Sequence, residues 1–166
     1  MGRIDTLVNN AGIYIGKPFA QYTAEDYAAV TNVNMAGFYH VTQLAIAEME
    51  KQSNGHVVSV TASVVDAAVS GVCSVLAALT TGGLNAATKS LAIEYARKGI
   101  RVNAVAQEII KSPMHAPETR EALGAFHPLG RMGEMSDIAD AILLLESAPF
   151  IMREILHVDG GQSAGR

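Results

Sequence analysis

The order of segments along this chain predicts an α/β fold, a parallel sheet with helices on both faces, and three observations carry that prediction. Apolar, largely β-branched runs at residues 4–8, 56–61, 101–105 and 155–158 each stop at turn chemistry. Segments of helical period lie between those runs, the alternation that builds parallel sheets. Hydrophobic residues make up 49% of the 166 positions and charged ones 17%, a composition that buries a core.

The elements follow in order. Residues 4–8 form an apolar run with one acid, Asp5, closed by Asn9, Asn10, Ala11 and Gly12, and read as a buried strand ending in a turn. Thr23 with Glu25 and Asp26 supplies a capping hydroxyl and two acids, so a helix is expected to start there and run toward Asn32. A second helix is expected over residues 34–51, broken by Ser53, Asn54 and Gly55. Residues 56–61 follow as a central strand.

Small and apolar residues then recur at helical spacing over 74–98, with Gly82 and Gly83 inside, until Gly99 stops the helix. A strand over 101–105 comes next. Residues 107–135 hold three of the five prolines and show no clear period, which predicts a loop with a short helix near 118–125. Ser136 and Asp137 open a helix through Glu146, and residues 155–158 form the last strand, ending in Asp159, Gly160 and Gly161. No repeat or linker interrupts the chain, so one domain over 1–166 is expected.

Charge and composition exclude several classes of function. A formal net charge of -4, with no cluster of Lys or Arg, is a poor field for gathering phosphates, so no nucleic-acid partner is expected. No apolar stretch approaches the roughly 18 residues of a spanning helix, and the first residues are charged rather than signal-like, so neither a membrane nor an export role is expected. A single cysteine, Cys73, forms no internal disulfide and suits a reducing cytoplasm. His40, His56, His115, His127 and His157 are scattered without metal spacing, and no metal site is expected.

Four short strings stand in one order and spacing: Asn9-Asn10-Ala11-Gly12 after a strand, Asn34-Met35-Ala36-Gly37 in a helix, Gly99-Ile100-Arg101-Val102-Asn103-Ala104-Val105, and Val158-Asp159-Gly160-Gly161. Each alone is ordinary turn chemistry. Together they resemble the short-chain dehydrogenase/reductase family over nearly the whole chain, and the segment from Gly82 to Ala96 is similar to that family's long interface helix. The resemblance implies a Rossmann-like sheet lacking the first βαβαβ portion, so that the glycine-rich phosphate loop and the residue choosing NAD or NADP lie outside this sequence. Family members move a hydride between a nicotinamide and a carbonyl or alcohol carbon, with a Tyr-x-x-x-Lys pair exchanging the proton.

Carried over residue by residue, the resemblance implies Asn34 at a catalytic helix position, Ala77 where the tyrosine stands and Thr81 where the lysine stands. The substrate-orienting serine falls at Ala62 when aligned from Gly55, and at Ser63 after a shift of one residue. Asn9, Asn10, Ala11, Gly12 and Ser112 are the implied cofactor-binding positions, for NAD or NADP. Two loops differ from the family pattern: Gln107-Glu108 replaces a Pro-Gly beside the nicotinamide, and Met152-Arg153 replaces a Thr-Gly before the last strand.

Three readings follow: an oxidoreductase-derived chain with little or no turnover alone, a binding or assembly module pairing through its alanine-rich helices, or a working enzyme using Ser63, Thr80 or Thr81 with Asn34. The second is favoured by the small residues at 41–49 and 76–96, which permit close helix packing. An apolar first strand with only Asp5 for protection adds the expectation that the chain is a homo-oligomer rather than a monomer. The substrate is a small molecule of unspecified class.

Overall fold

The computed structural model describes residues 2–164. Four strands form one parallel sheet in the order β1, β2, β3, β6, namely Thr6–Asn9, Gly55–Ala62, Ile100–Gln107 and Ile155–Val158. Between them run α1 (Ala24–Thr31), α2 (Gly37–Gln52), α3 (Val75–Tyr95), α4 (Arg120–Gly124) and α5 (Met135–Ser147), with β4 (Ile110–Lys111) and β5 (Gly133–Glu134) making a separate two-stranded pair.

Side chains alternate across a strand, so the central strands feed two cores. Val57 and Val102 face α2 and α3, packing with Ala45, Ile46, Met49 and Ala92. Val58 and Val105 face the other way, against Ile138, Ala141 and Leu145 of α5. The fold is thus an α/β Rossmann-like one with helices on both faces.

Local chemistry sets the boundaries. Thr23 and Asp26 form a capping box, with Asp26 N–H donating to Thr23 Oγ1 at 3.1 Å and Thr23 N–H to Asp26 Oδ2 at 2.9 Å. Ser53 ends α2 in the left-handed region, at φ 50. Gly99 does the same after α3, at φ 74, and a Cβ there would stand 2.2 Å from the Ser53 carbonyl oxygen, so only glycine fits.

The structure departs from the sequence-based expectations at several points. No residue of the first strand is buried and Val8 is exposed, because β1 is an edge strand pairing only with β2. Asn34 precedes α2, in a π-helical turn over Asn32–Ala36 that joins α1 to α2. The α5 cap is Glu134 rather than Ser136: Glu134 N–H donates to Asp137 Oδ2 at 2.9 Å, and Arg131 pairs with the same oxygen. Within residues 107–135 the pairing of Ile110 and Lys111 with Gly133 and Glu134 was invisible to any periodicity, since two-residue strands have none.

At the amino ends of the strands a polar network ties β1, β2, β3 and α5 together. Asn103 Oδ1 accepts from Glu154 N–H at 3.0 Å, which leaves Nδ2 to donate to the Ile151 carbonyl at 3.1 Å and to His56 Nε2 at 2.9 Å. His56 Nε2 is therefore the acceptor, and Nδ1 carries the proton to Glu146 Oε2 at 2.5 Å. Thr6 Oγ1 donates to the other Glu146 oxygen at 3.0 Å. Arg101 caps the end of α5 by donating to the Leu145, Glu146 and Ala148 carbonyls.

Candidate active site

Ligands of open parallel α/β sheets bind outside the carboxyl ends of the strands. Here that edge is formed by the residues after Asn9, Ala62, Gln107 and Val158. Asn34 reaches it from the π-helical turn and clamps the loop after β1: its Oδ1 accepts from Ile13 N–H at 2.9 Å, and its Nδ2 donates to the Ile13 carbonyl at 3.1 Å and to Thr80 Oγ1 at 3.2 Å. Both ends of the amide are engaged within the chain.

Ala77 and Thr81 stand one turn apart on α3, both half-buried. The Thr81 hydroxyl donates to the Ala77 carbonyl at 2.7 Å, and that of Thr80 to the Leu76 carbonyl at 2.8 Å, the usual fate of a helical threonine. Ser63 is fully buried just past β2, and its Oγ donates to Glu108 Oε2 at 2.7 Å. Glu108 follows the last residue of β3. Burial pushes its carboxyl above the ordinary glutamate range, reinforced by the nearby Asp159 charge and opposed by hydrogen bonds from Ser63, Gln162 and the Val64 amide.

Of the implied cofactor positions, Asn9 turns inward, its Nδ2 donating to Thr42 Oγ1 at 2.9 Å. Asn10, Ala11 and Gly12 are exposed. Ser112 follows β4, where its hydroxyl accepts from Met114 N–H at 3.3 Å on the exposed side of the loop. Thus the edge gathers Asn34, Ser63, Ala77 and Thr81 around the ends of β1 and β2 and the start of α3.

Three participants were missed by sequence reasoning. Glu108 registered only as a departure from a Pro-Gly pattern. Tyr14 crosses the edge from the β1 loop, its hydroxyl donating to the Cys73 carbonyl at 2.8 Å, and burial raises its pKa, with Tyr22, Cys73 and Glu108 adding to the effect. Gln162 touches Glu108 from the segment after β6, where Asp159 accepts from Gly161 N–H at 3.0 Å and Ser163 N–H at 2.9 Å. No sequence signal pointed to the last two.

Elsewhere the described residues contain no group of three or more His, Cys, Asp or Glu side chains able to hold a metal ion, and no helix long and apolar enough to cross a membrane.

A family model described as Enoyl-(Acyl carrier protein) reductase matches residues 1–163. A 3-oxoacyl-(acyl-carrier-protein) reductase of Thermotoga maritima is 39% identical over 165 residues, covering 96% of this chain and 66% of its own. A tropinone reductase homolog of Arabidopsis thaliana is 35% identical over 167 residues, covering 96% and 63%. This chain therefore spans just under two thirds of the length of those curated relatives. Among solved structures, ElxO with NADP bound superposes with a TM-score of 0.90 at 31% identity, over 98% of this chain and 68% of that one. A gluconate 5-dehydrogenase from Burkholderia cenocepacia in complex with NADP and tartrate gives 0.89 at 26% identity, over 99% and 67%. With a parallel sheet in this order and a family match over nearly every residue, the chain belongs to the short-chain dehydrogenase/reductase family of NAD(P)-dependent oxidoreductases.

Proposed function

We propose that this chain is one domain of the short-chain oxidoreductase type, related to enzymes acting on a carbonyl/alcohol pair, that has little or no turnover by itself. One observation carries the reading: at the positions matched to the proton-exchanging pair, Ala77 has no titratable group and the Thr81 hydroxyl is spent on its own helix. Asn34 and Ser63 are likewise engaged within the chain, so none of these four positions holds a free donor for a substrate oxygen. Loss of general acid-base help costs on the order of 100- to 10,000-fold in rate.

NAD or NADP is the cofactor class, by analogy with neighbours solved with NADP. The residues at this edge do not fit it as they stand. The described residues hold no glycine-rich phosphate loop, and the nicotinamide end carries a buried carboxyl in place of open backbone. Titration of the purified chain with NADH and NADPH, followed by fluorescence, is the test. Weak or absent binding is expected, and micromolar affinity for either would refute it. Carbonyl reduction is expected to stay negligible in the Ala77→Tyr, Thr81→Lys double variant. Turnover recovered by those two changes alone would show a complete cofactor site.

A second reading, an assembly module that pairs with itself or an intact relative, is favoured by the outer faces of α2 and α3. Leu44 and Ile93 are 69% and 64% exposed, and Tyr39, Val41 and Leu79 are exposed as well. A groove of about 310 Å³ lined by Phe38, Tyr39, Ile46, Leu91 and Tyr95 runs between those helices. On this reading the chain is a homo-oligomer located in the cytoplasm. Light scattering that gives a stable monomer would overturn it.

A further inference from the structure

Glu108 leaves β3 at the carboxyl edge, yet its side chain does not project into solvent as an edge carboxylate ordinarily would. It folds back over the ends of β2 and β3. Groups from two segments hold it there: in the turn after β2, Ser63 Oγ donates to its Oε2 at 2.7 Å and the Val64 amide meets it, and the Gln162 side chain meets it from the segment after β6. Ser63 is 1% exposed and Gln162 5%, so the partners are parts of the buried framework, not mobile surface groups.

A carboxyl gathered by that many donors blocks the edge in two ways. Its side chain lies beyond the ends of the two central strands, the side of the sheet on which ligands of such folds bind. It also consumes the Ser63 hydroxyl just past the β2 end, since Ser63 can donate one proton and gives it to Glu108. Opening the edge means leaving Ser63, the Val64 amide and Gln162 with unsatisfied buried atoms, a cost that favours the closed arrangement. Tyr14 adds a second strap across the same edge by donating to the Cys73 carbonyl.

We propose that Glu108 is a built-in plug: its carboxyl, held by Ser63, Val64 and Gln162, closes the carboxyl edge of the sheet against a nicotinamide ring. The inference rests on the reading of this edge as an oxidoreductase site. It differs from that reading in placing the obstruction at one side chain, independent of how the rest of a dinucleotide is bound.

Reduced nicotinamide mononucleotide is the probe, because it carries the ring and one phosphate and does not need the adenine half. Fluorescence titration of the wild-type chain, Glu108→Gly, Glu108→Ala and Glu108→Gln separates the possibilities. Glu108→Gln retains the volume and can still bond Ser63, so it should bind the probe no better than wild type. Glu108→Gly, or Glu108→Ala where the glycine variant loses its native circular dichroism, should bind about tenfold more tightly or better. Equal affinity in wild type and the folded small-residue variant would overturn the plug, even with NADPH binding absent throughout. Micromolar NADPH binding by the wild-type chain would instead sink the reading of a cofactor-deficient domain, whatever Glu108 does.

Discussion

At the amino edge of the sheet, His56, Asn103 and Arg101 spend their polar atoms on one another, on Glu146 and on the carbonyls that end α5, whereas at the carboxyl edge the polar groups close a site instead of forming one. The buried Thr61 hydroxyl, one residue before the end of β2, has no partner at all. Both edges belong to the same strands and share the same core, so the difference is one of side chains alone. The framework end of an α/β sheet can keep its polar network while the side chains of the ligand end are rebuilt, because the backbone ladder that pairs the strands up to Ala62, Gln107 and Val158 does not depend on which side chains stand beyond it.

The largest effect expected from disturbing this contrast is at Gly99, on the turn that delivers β3 to the amino edge. Alanine there must adopt a left-handed conformation and push against the Ser53 carbonyl, which a Cβ would approach to 2.2 Å. Gly99→Ala should cost about 2–4 kcal/mol from the two effects together, measured by urea denaturation. Retention of wild-type stability would show that the turn between α3 and β3 is not fixed. Next comes Asn103→Ala, which leaves the Glu154 amide without its acceptor and takes the amide donor from His56 Nε2 and from the Ile151 carbonyl, which then keeps only Arg101. A loss of about 2–3 kcal/mol is expected. Ala77→Tyr at the other edge should cost far less if the contrast is sound.

The two edges also titrate in opposite directions. Burial, with the Arg101 charge, holds His56 below its ordinary value of 6.5. The unfolded chain then takes up a proton that the folded one refuses, so stability is complete above that value and falls as pH drops through it, by up to ~1.4 kcal/mol per pH unit for one proton. Glu108 does the reverse. Its folded pKa is raised, so its contribution is complete below 4.5 and is lost as pH rises through the folded value. Denaturation midpoints across the range should therefore show a decline as pH falls below 6.5 that is absent in His56→Gln, and a decline as pH rises above 4.5 that is absent in Glu108→Gln. Both declines surviving in both variants would mean that neither edge controls the pH dependence.

Much of this architecture was legible because it is written in local chemistry. Thr23 with Asp26, Ser53 with Gly55, and Gly99 are punctuation that acts within a few residues, and the helix starts and strand ends they imply are where the structure has them. The last strand coincides in full with its expected span, residues 155–158. Asn34, Ala77 and Thr81 were proposed for the site by counting from nearby motifs, and the serine by counting to Ala62 or, one residue on, to Ser63. What could not be read is whatever depends on contacts far apart in sequence. Ser63 meets Glu108 across 45 residues and His56 meets Glu146 across 90, and neither pair leaves a periodic trace. For that reason His56 looked like one of five scattered histidines, although it sits at the centre of the amino-edge network.

The smallest effect tests whether the amino edge is as well made as its hydrogen bonds suggest. Arg153 lies in the loop that carries the chain into β6, and its N–H donates to the Val102 carbonyl at 2.9 Å. It does so at φ 64, a left-handed conformation that strains any residue with a Cβ. The side chain takes no part in an ion pair among the described residues, so nothing offsets that strain. Glycine adopts the same angles freely, though it also loosens the unfolded chain, and the two contributions partly cancel. Arg153→Gly should therefore stabilise the fold by about 0.5–1 kcal/mol, seen as a higher denaturation midpoint at unchanged slope. A loss of stability would mean that the arginine is held by more than its backbone, and that the amino edge extends into the loop before β6.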